Sequence, residues 1–371
     1  MEDYERFRER VRDFAIREVS PLASEIDRTH QFPHKVVQKM GEQGLMGIPI
    51  PEDYGGAGLS TLHYVVAVEE ISRVCGSTGL TLAAHTSLGT YPIYIFGTEE
   101  QKRRYLPLLA SGKTLGSFGL TEPNAGSDAA GVETTATPTP DGWILNGSKR
   151  FITSSRFAGI VIVAATQDKS KGSHGISSFI VERDTPGFSI GKREEKLGLC
   201  GADTSELFFD NCKIPKENLL GKEYEGFKVF MTTLDHGRIS IGAMALGIAQ
   251  GALDASIEYV KSNNLRRSQR IQRLIADMAT EIEAARELLY HTARLKERGE
   301  RITKEAAMAK LYASEVAMRV CIRAVELHRE EGVTSKFPVE RFLRDAKLTE
   351  IGEGTSEIQR IVIARQVLGR E

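Results

Sequence analysis

The sequence has 371 residues, enough for two or three domains around sizeable cores. Hydrophobic residues make up 41% and charged residues 27%, a globular balance that excludes a disordered or fibrous chain. Lysine plus arginine number 49 against 50 acidic residues, and the net charge of −1 gives no pull toward nucleic acid or an anionic membrane. The charged opening Met1-Glu2-Asp3-Tyr4-Glu5-Arg6 lacks the apolar core of a signal peptide, and no uninterrupted apolar run is long enough to span a bilayer. Cys75, Cys200, Cys212 and Cys321 lie far apart, with no C-x-x-C pair and no histidine cluster at zinc-ligand spacing. A disulfide framework or structural metal is not expected, and a cytoplasmic, reducing setting is.

Residues 1–118 read as a helical domain. Glu18-Val19-Ser20-Pro21 interrupts the first helix, Pro49 to Gly58 cannot continue one, and Leu62 to Arg73 resumes the pattern. Over 119–223 the pattern changes to strands. Ile160 to Val163, Ile176 to Val181 and Glu206 to Phe209 are short β-prone runs, separated by Asp141-Gly142, Gly172-Ser173 and Thr185-Pro186-Gly187. Strands this close, without helices between them, predict an antiparallel sheet or barrel. Over 224–371 helices return. Ile275, Met278, Ile282, Ala285 and Leu289 share one helical face, as do Ala307, Leu311, Ser314, Met318, Cys321 and Val325, which predicts a bundle. The fold class is therefore α+β and multidomain: helical, then β, then helical.

Several local matches carry no chemistry. Gly112-Lys113-Thr114 looks like the end of a phosphate loop, but Pro107 stands where its first glycine belongs. Asn146-Gly147-Ser148 reads as a turn. Arg266, Arg267, Arg270 and Arg273 read as a solvated helix face, with an anion contact as the alternative.

Two segments are too unusual to be plain connectors. Phe118-Gly119-Leu120-Thr121-Glu122-Pro123-Asn124-Ala125-Gly126-Ser127-Asp128 joins the helical and β regions and is rich in small residues and hydroxyls. Such a loop can lie against a flat polar ring system, although a structural glycine-rich turn has the same composition. In the second, Ile351-Gly352-Glu353-Gly354-Thr355-Ser356-Glu357, a carboxylate stands between glycines just before the last helix, with Thr355 or Ser356 as a cap. A lone glutamate in a turn is ordinarily solvent-exposed.

Together these segments resemble the acyl-CoA dehydrogenase family over nearly the whole chain. Leu120 to Asp128 is similar to one family signature and Phe337 to Arg365 to another. Leu45 to Gly56, Gly97 to Lys102, Leu145 to Lys149 and Ala276 to Ala279 match in order. The resemblance implies an N-terminal helical domain, a middle antiparallel β-domain and a C-terminal four-helix bundle. It implies FAD, an acyl-CoA substrate of short or medium chain, and an electron-transferring flavoprotein as acceptor. By similarity Glu353 is the base that removes the α-proton. Phe118, Leu120, Thr121, Gly126, Ser127, Phe151, Thr153, Thr355 and Glu357 match cofactor positions, and Ser127, Asp235, Arg238 and Gly354 match substrate positions. Part of the family carries its base immediately before this arginine; here that residue is Gly237.

The chain also departs from the pattern. Where the family has an interval carrying an Arg-x-x-Phe-Gly element, Ser262 to Gln269 is several residues too short and has no Phe-Gly, and Glu326 to Gly332 replaces a Gln-x-x-Gly-Gly stretch with charged residues. In the family both elements reach the ADP half of a neighbouring subunit's FAD. Their loss predicts weaker FAD binding and an assembly smaller than the family's tetramer. It also keeps open a FAD-deficient paralogue or engineered variant, and a flavin oxidase or monooxygenase on the same fold.

Overall fold

A computed structural model describes residues 4–369. Helix α1 (Tyr4–Phe14) buries Phe7, Val11 and Phe14 along one stripe. A π turn over Ala15–Val19 and a 3₁₀ turn over Ser20–Leu22 then lead into α2 (Ala23–Thr29). Pro21 therefore bends the helical path without ending it, because it sits in the first turn, where its missing N–H costs nothing. After α3 (His34–Glu42), the Pro49–Gly58 segment forms only a 3₁₀ turn and loop. Ser60 caps α4 (Thr61–Ser72), and nearly every α4 side chain is buried. Helices α5 (Gly76–Ala84), α6 (Tyr91–Phe96) and α7 (Glu99–Ala110) complete the region, α7 starting on a Thr98/Gln101 capping box.

The middle region is a seven-stranded sheet of β1 (Leu115–Gly119), β2 (Thr135–Thr139), β3 (Gly142–Thr153), β4 (Ala158–Thr166), β5 (Ile176–Glu182), β6 (Phe188–Arg193) and β7 (Thr204–Pro215). Strands β2, β3, β7 and β6 run antiparallel in that order, and β5 pairs antiparallel with β4. The expectation of antiparallel pairing needs one refinement: β1 pairs parallel with β4, and β2 meets β4 in parallel at Thr135 and Thr166. Strand β1 also starts before the 118/119 boundary expected from the sequence. The strand's polar and glycine-rich residues, Leu115-Gly116-Ser117-Phe118-Gly119, hide its β character.

Helices α8 (Gly226–Ser262), α9 (Gln269–Glu297), α10 (Thr303–Leu327) and α11 (Val339–Thr349) pack as a bundle, and α12 (Ser356–Leu368) lies on α10. By length and composition α8 alone among the described helices could cross a membrane, but 83% of its most apolar stretch is buried in the fold. It is the bundle's central core helix. The two helical regions share one core, which runs from Phe7 and Val65 to Met244, Ile282 and Val320. Buried charges join them as well: Glu69 on α4 accepts from Arg286 and Tyr290 of α9, and Arg73 pairs with Asp254 of α8 at 2.5 Å.

The shortened link between α8 and α9 is a 3₁₀ turn, Leu265–Arg267. Beneath it Tyr259, His328 and Phe337 pack as an aromatic trio at tilted to edge-on angles, with centroids 4.3–5.4 Å apart. In the charged replacement stretch, Arg329 sits at φ +55°, a conformation that suits glycine. All four cysteines are buried and unpaired. Among the described residues no cluster of His, Cys, Asp or Glu could hold a metal ion.

Candidate active site

The turn between α11 and α12 presents Glu353. Two successive residues take left-handed backbone, Glu353 at φ +56° and Gly354 at φ +95°. Glycine adopts that conformation freely; glutamate does so at a cost on the order of 1 kcal/mol. Three hydrogen bonds hold the turn. The side-chain amide of Gln359 donates to the carbonyls of Glu353 (3.1 Å) and Gly354 (2.9 Å), and Lys310 Nζ on α10 donates to Gly354 O at 2.7 Å. Thr355 caps α12 by accepting from the N–H of Ile358.

The carboxyl group thus held points into the protein, at Gly237 on α8. A methyl group built on Gly237 would lie 1.6 Å from Glu353 Oε2 and 3.0 Å from Leu88. Oε2 is buried and has no hydrogen-bond partner. Burial pushes the Glu353 carboxyl up to about 8, against the opposing pull of Lys310 and Arg238. The default of a solvent-exposed turn glutamate therefore does not hold here. This is a desolvated carboxyl poised near neutral pH, the state a general base requires.

On the same stretch of α8, Arg238 is 6% exposed and donates to Asp235 Oδ1 at 2.6 Å, while Asp235 Oδ2 accepts from Thr303 at 2.7 Å. Both line a large cavity of about 1670 Å³, together with Tyr91, Phe227, Lys296 and Arg301. Lys296 lies over the Tyr91 ring at 4.2 Å. The cavity walls include Ile361 and Arg365 of α12 but neither Glu353 nor the 118–128 loop; Arg238 on its wall is the residue after Gly237, which faces the carboxyl.

The residues expected on the cofactor side fall into two groups. In the first, Phe118 packs its ring against Phe230 of α8 at 4.6 Å, Leu120 is buried and Thr121 is partly buried. Gly126 and Ser127 are exposed on the loop beyond. Strand β3 closes on that loop. Arg150 N donates to Thr121 O at 2.8 Å, and Ser117 donates to Thr153 O at 2.7 Å. Phe151, at φ +58°, leaves its ring 54% exposed under the Arg150 guanidinium. Thr355 and exposed Glu357 form the second group, beside Glu353.

Three residues in this arrangement went unassigned in the sequence. Lys149 on β3 is completely buried and pairs with Glu122 at 2.5 Å, and Glu122 also accepts the N–H groups of Glu133 and Thr134. That pair pins the 120–134 loop to the sheet. Lys310 is the third. A single lysine in the apolar run Ala306-Ala307-Met308-Ala309-Lys310 was the available signal.

Around the Glu353 turn, Arg238 Nε, Ser356 Oγ and Gln359 Oε1 are buried without partners, as is Glu353 Oε2. Buried polar groups are almost always satisfied, so this concentration fits a polar ligand bound where α8 meets the Glu353 turn and the start of α12.

Domain families described as acyl-CoA dehydrogenase, N-terminal, middle and C-terminal, match residues 1–113, 117–212 and 224–368. This chain belongs to the acyl-CoA dehydrogenase family. It is 49% identical to a short-chain specific acyl-CoA dehydrogenase of Clostridium acetobutylicum over 98% of both chains. Butyryl-CoA dehydrogenase from Megasphaera elsdenii superposes with a TM-score of 0.97 at 44% identity, covering 100% of this chain and 99% of that one. A chain from a structure of the electron-transferring flavoprotein of Acidaminococcus fermentans superposes at 0.98 with 49% identity, again over 100% and 99%. An acyl-CoA dehydrogenase from Bacillus anthracis, solved with FAD, superposes at 0.94 with 33% identity over 99% of this chain and 67% of that one. Like its family, this acyl-CoA dehydrogenase is an oxidoreductase acting on the CH–CH group of acyl-CoA, with FAD as its cofactor.

Proposed function

We propose that this acyl-CoA dehydrogenase oxidises a short-chain acyl-CoA to the trans-2-enoyl-CoA, with Glu353 as the α-proton base. The observation that carries the reading is Glu353 Oε2, buried and without a hydrogen-bond partner, on a carboxyl pushed up to about 8 and facing a glycine at position 237. The thioester α-proton passes to Glu353 Oε2 while the β-hydrogen leaves with its electron pair, so the pair of the broken α C–H bond becomes the π bond of the C=C. When bound, FAD supplies the two-electron acceptor for that hydride. The enolate charge that develops on the thioester oxygen needs donors, a role we assign to the Glu353 backbone N–H.

The remaining roles follow the two groups of side chains. Phe118, Leu120, Thr121, Gly126, Phe151, Thr153, Thr355 and Glu357 hold the flavin. Ser127 serves cofactor and substrate, and Gly354, Asp235 and Arg238 the acyl-CoA. The relatives described as short-chain and butyryl-CoA dehydrogenases favour a short acyl group. The likeness to a chain solved with an electron-transferring flavoprotein favours such a flavoprotein as acceptor. The charged Arg329-Glu330-Glu331 turn and the short Leu265–Arg267 link favour an assembly below a tetramer.

Anaerobic addition of butyryl-CoA to the FAD-loaded protein tests the reading. Bleaching of the flavin band in the wild type and none in Glu353→Gln is expected. Equal bleaching in both removes Glu353 as base. Rapid reoxidation by oxygen moves the assignment to an oxidase, and a protein that cannot be loaded with FAD moves it to a binding paralogue. Light scattering on the same sample should give a dimer or monomer; a stable tetramer overturns that part.

A further inference from the structure

Lys310 stands apart from the other lysines of the bundle. Its side chain is completely buried on α10, and its Nζ donates to Gly354 O at 2.7 Å, one residue beyond Glu353. The strongest opposite charge acting on it is Glu353, ahead of Glu350 and Glu357. We propose that Lys310 is a positioning residue for Glu353: it anchors the turn through the Gly354 carbonyl, and its charge favours the ionised form of the neighbouring carboxyl.

The geometry supports both halves. Gly354 O accepts from Lys310 and from Gln359 at once, so two buried donors from α10 and α12 converge on one carbonyl. A left-handed pair of residues persists only where its surroundings over-determine it, and these bonds do so. Electrostatically, the Glu353 carboxyl has no hydrogen bond to Oε2, so charge at a distance is what stabilises its ionised form. The charged and titratable groups around the pair are Arg238 from α8, Tyr64 from α4, Glu350 at the end of α11 and Glu357 from α12. Only Lys310 and Arg238 are cationic, and Arg238 already donates to Asp235. Burial moves Lys310 down to about 8 and Glu353 up to about 8, so the two titrate in one range and respond to each other.

The test is an infrared difference titration of the Glu353 carboxyl band in the FAD-loaded protein, with Glu353→Gln subtracted. Lys310→Met should move the midpoint upward by about one unit or more, the effect of removing a nearby opposite charge. Lys310→Arg should leave it close to the wild type. An unmoved midpoint in Lys310→Met overturns the inference. If that variant does not fold, Lys310→Gln takes its place: a midpoint above that of Lys310→Arg supports the inference, and equal midpoints overturn it. The inference rests on Glu353 as base only for its kinetic consequence, the acid limb of kcat/KM moving with the band. A moved band with an unmoved limb sinks the base assignment and leaves the positioning role standing.

Discussion

Gly237 and Glu353 claim the same volume: a methyl group on the first would lie 1.6 Å from Oε2 of the second. Position 237 must remain a glycine for the carboxylate of Glu353 to sit where it does. Gly237→Ala should therefore leave the fold intact and displace the carboxyl. A misplacement of about 1 Å costs on the order of 100-fold in rate, and kcat for a short-chain acyl-CoA should fall by at least that much. Thermal unfolding should shift by only a few degrees. Unchanged kcat would show that the glutamate works from another rotamer.

The raised Glu353 carboxyl predicts a pH dependence with a definite sign. Its folded value of about 8 lies above the value of an unfolded glutamate, so the native state holds a proton that the unfolded chain releases. Glu353 therefore makes stability fall as pH rises between about 4.5 and 8. Glu353→Gln removes that penalty, and the variant should gain several kcal/mol, on the order of 5, relative to wild type at pH 8.5, with little gain at pH 4.5. Denaturant melts at the two pH values check this. Activity runs the other way, rising with pH as the carboxylate forms.

Removing one partner of the Lys149–Glu122 pair leaves a buried charge alone. Lys149→Met should cost about 3–5 kcal/mol, and the double change with Glu122→Gln should recover part of it. The loop from Leu120 to Thr134 hangs on the same pair, so FAD retention on gel filtration should fall in the single variant. Full FAD retention with lost stability would confine the pair to the sheet.

Arg329 offers a stabilising change. At φ +55° its side chain opposes the backbone, and Arg329→Gly should raise stability by about 0.5–1 kcal/mol. A lowered melting temperature would mean that the guanidinium makes compensating contacts.

Much of this arrangement was legible in the sequence, for reasons that differ by element. The face Met278, Ile282, Ala285 and Leu289 is buried as its spacing predicts, and the three β-prone runs lie within strands. Strand β3 escaped notice because Asn146, Gly147, Ser148, Lys149 and Arg150 break the apolar alternation, and its Lys149 is buried only through Glu122, a partner distant in sequence. In the site, Glu353 was visible through its flanking glycines and the family resemblance. Its burial was not, because that depends on Gly237 and Lys310, 116 and 43 positions earlier in the chain. Pairings of that separation leave no periodic trace.

Helix α8 places two parts of the site at a set distance. Phe230, which packs against Phe118, and Gly237, which faces Glu353, are seven residues apart. Seven residues make nearly two turns, so both project from one side of the helix, about 10.5 Å apart along its axis. The helix thus works as a ruler between the Phe118 contact and the Glu353 carboxyl. One residue inserted between Phe230 and Gly237 would turn the second mark by about 100° relative to the first and aim it away from Glu353. Loop changes elsewhere could leave the site intact, but the length of this seven-residue interval could not vary.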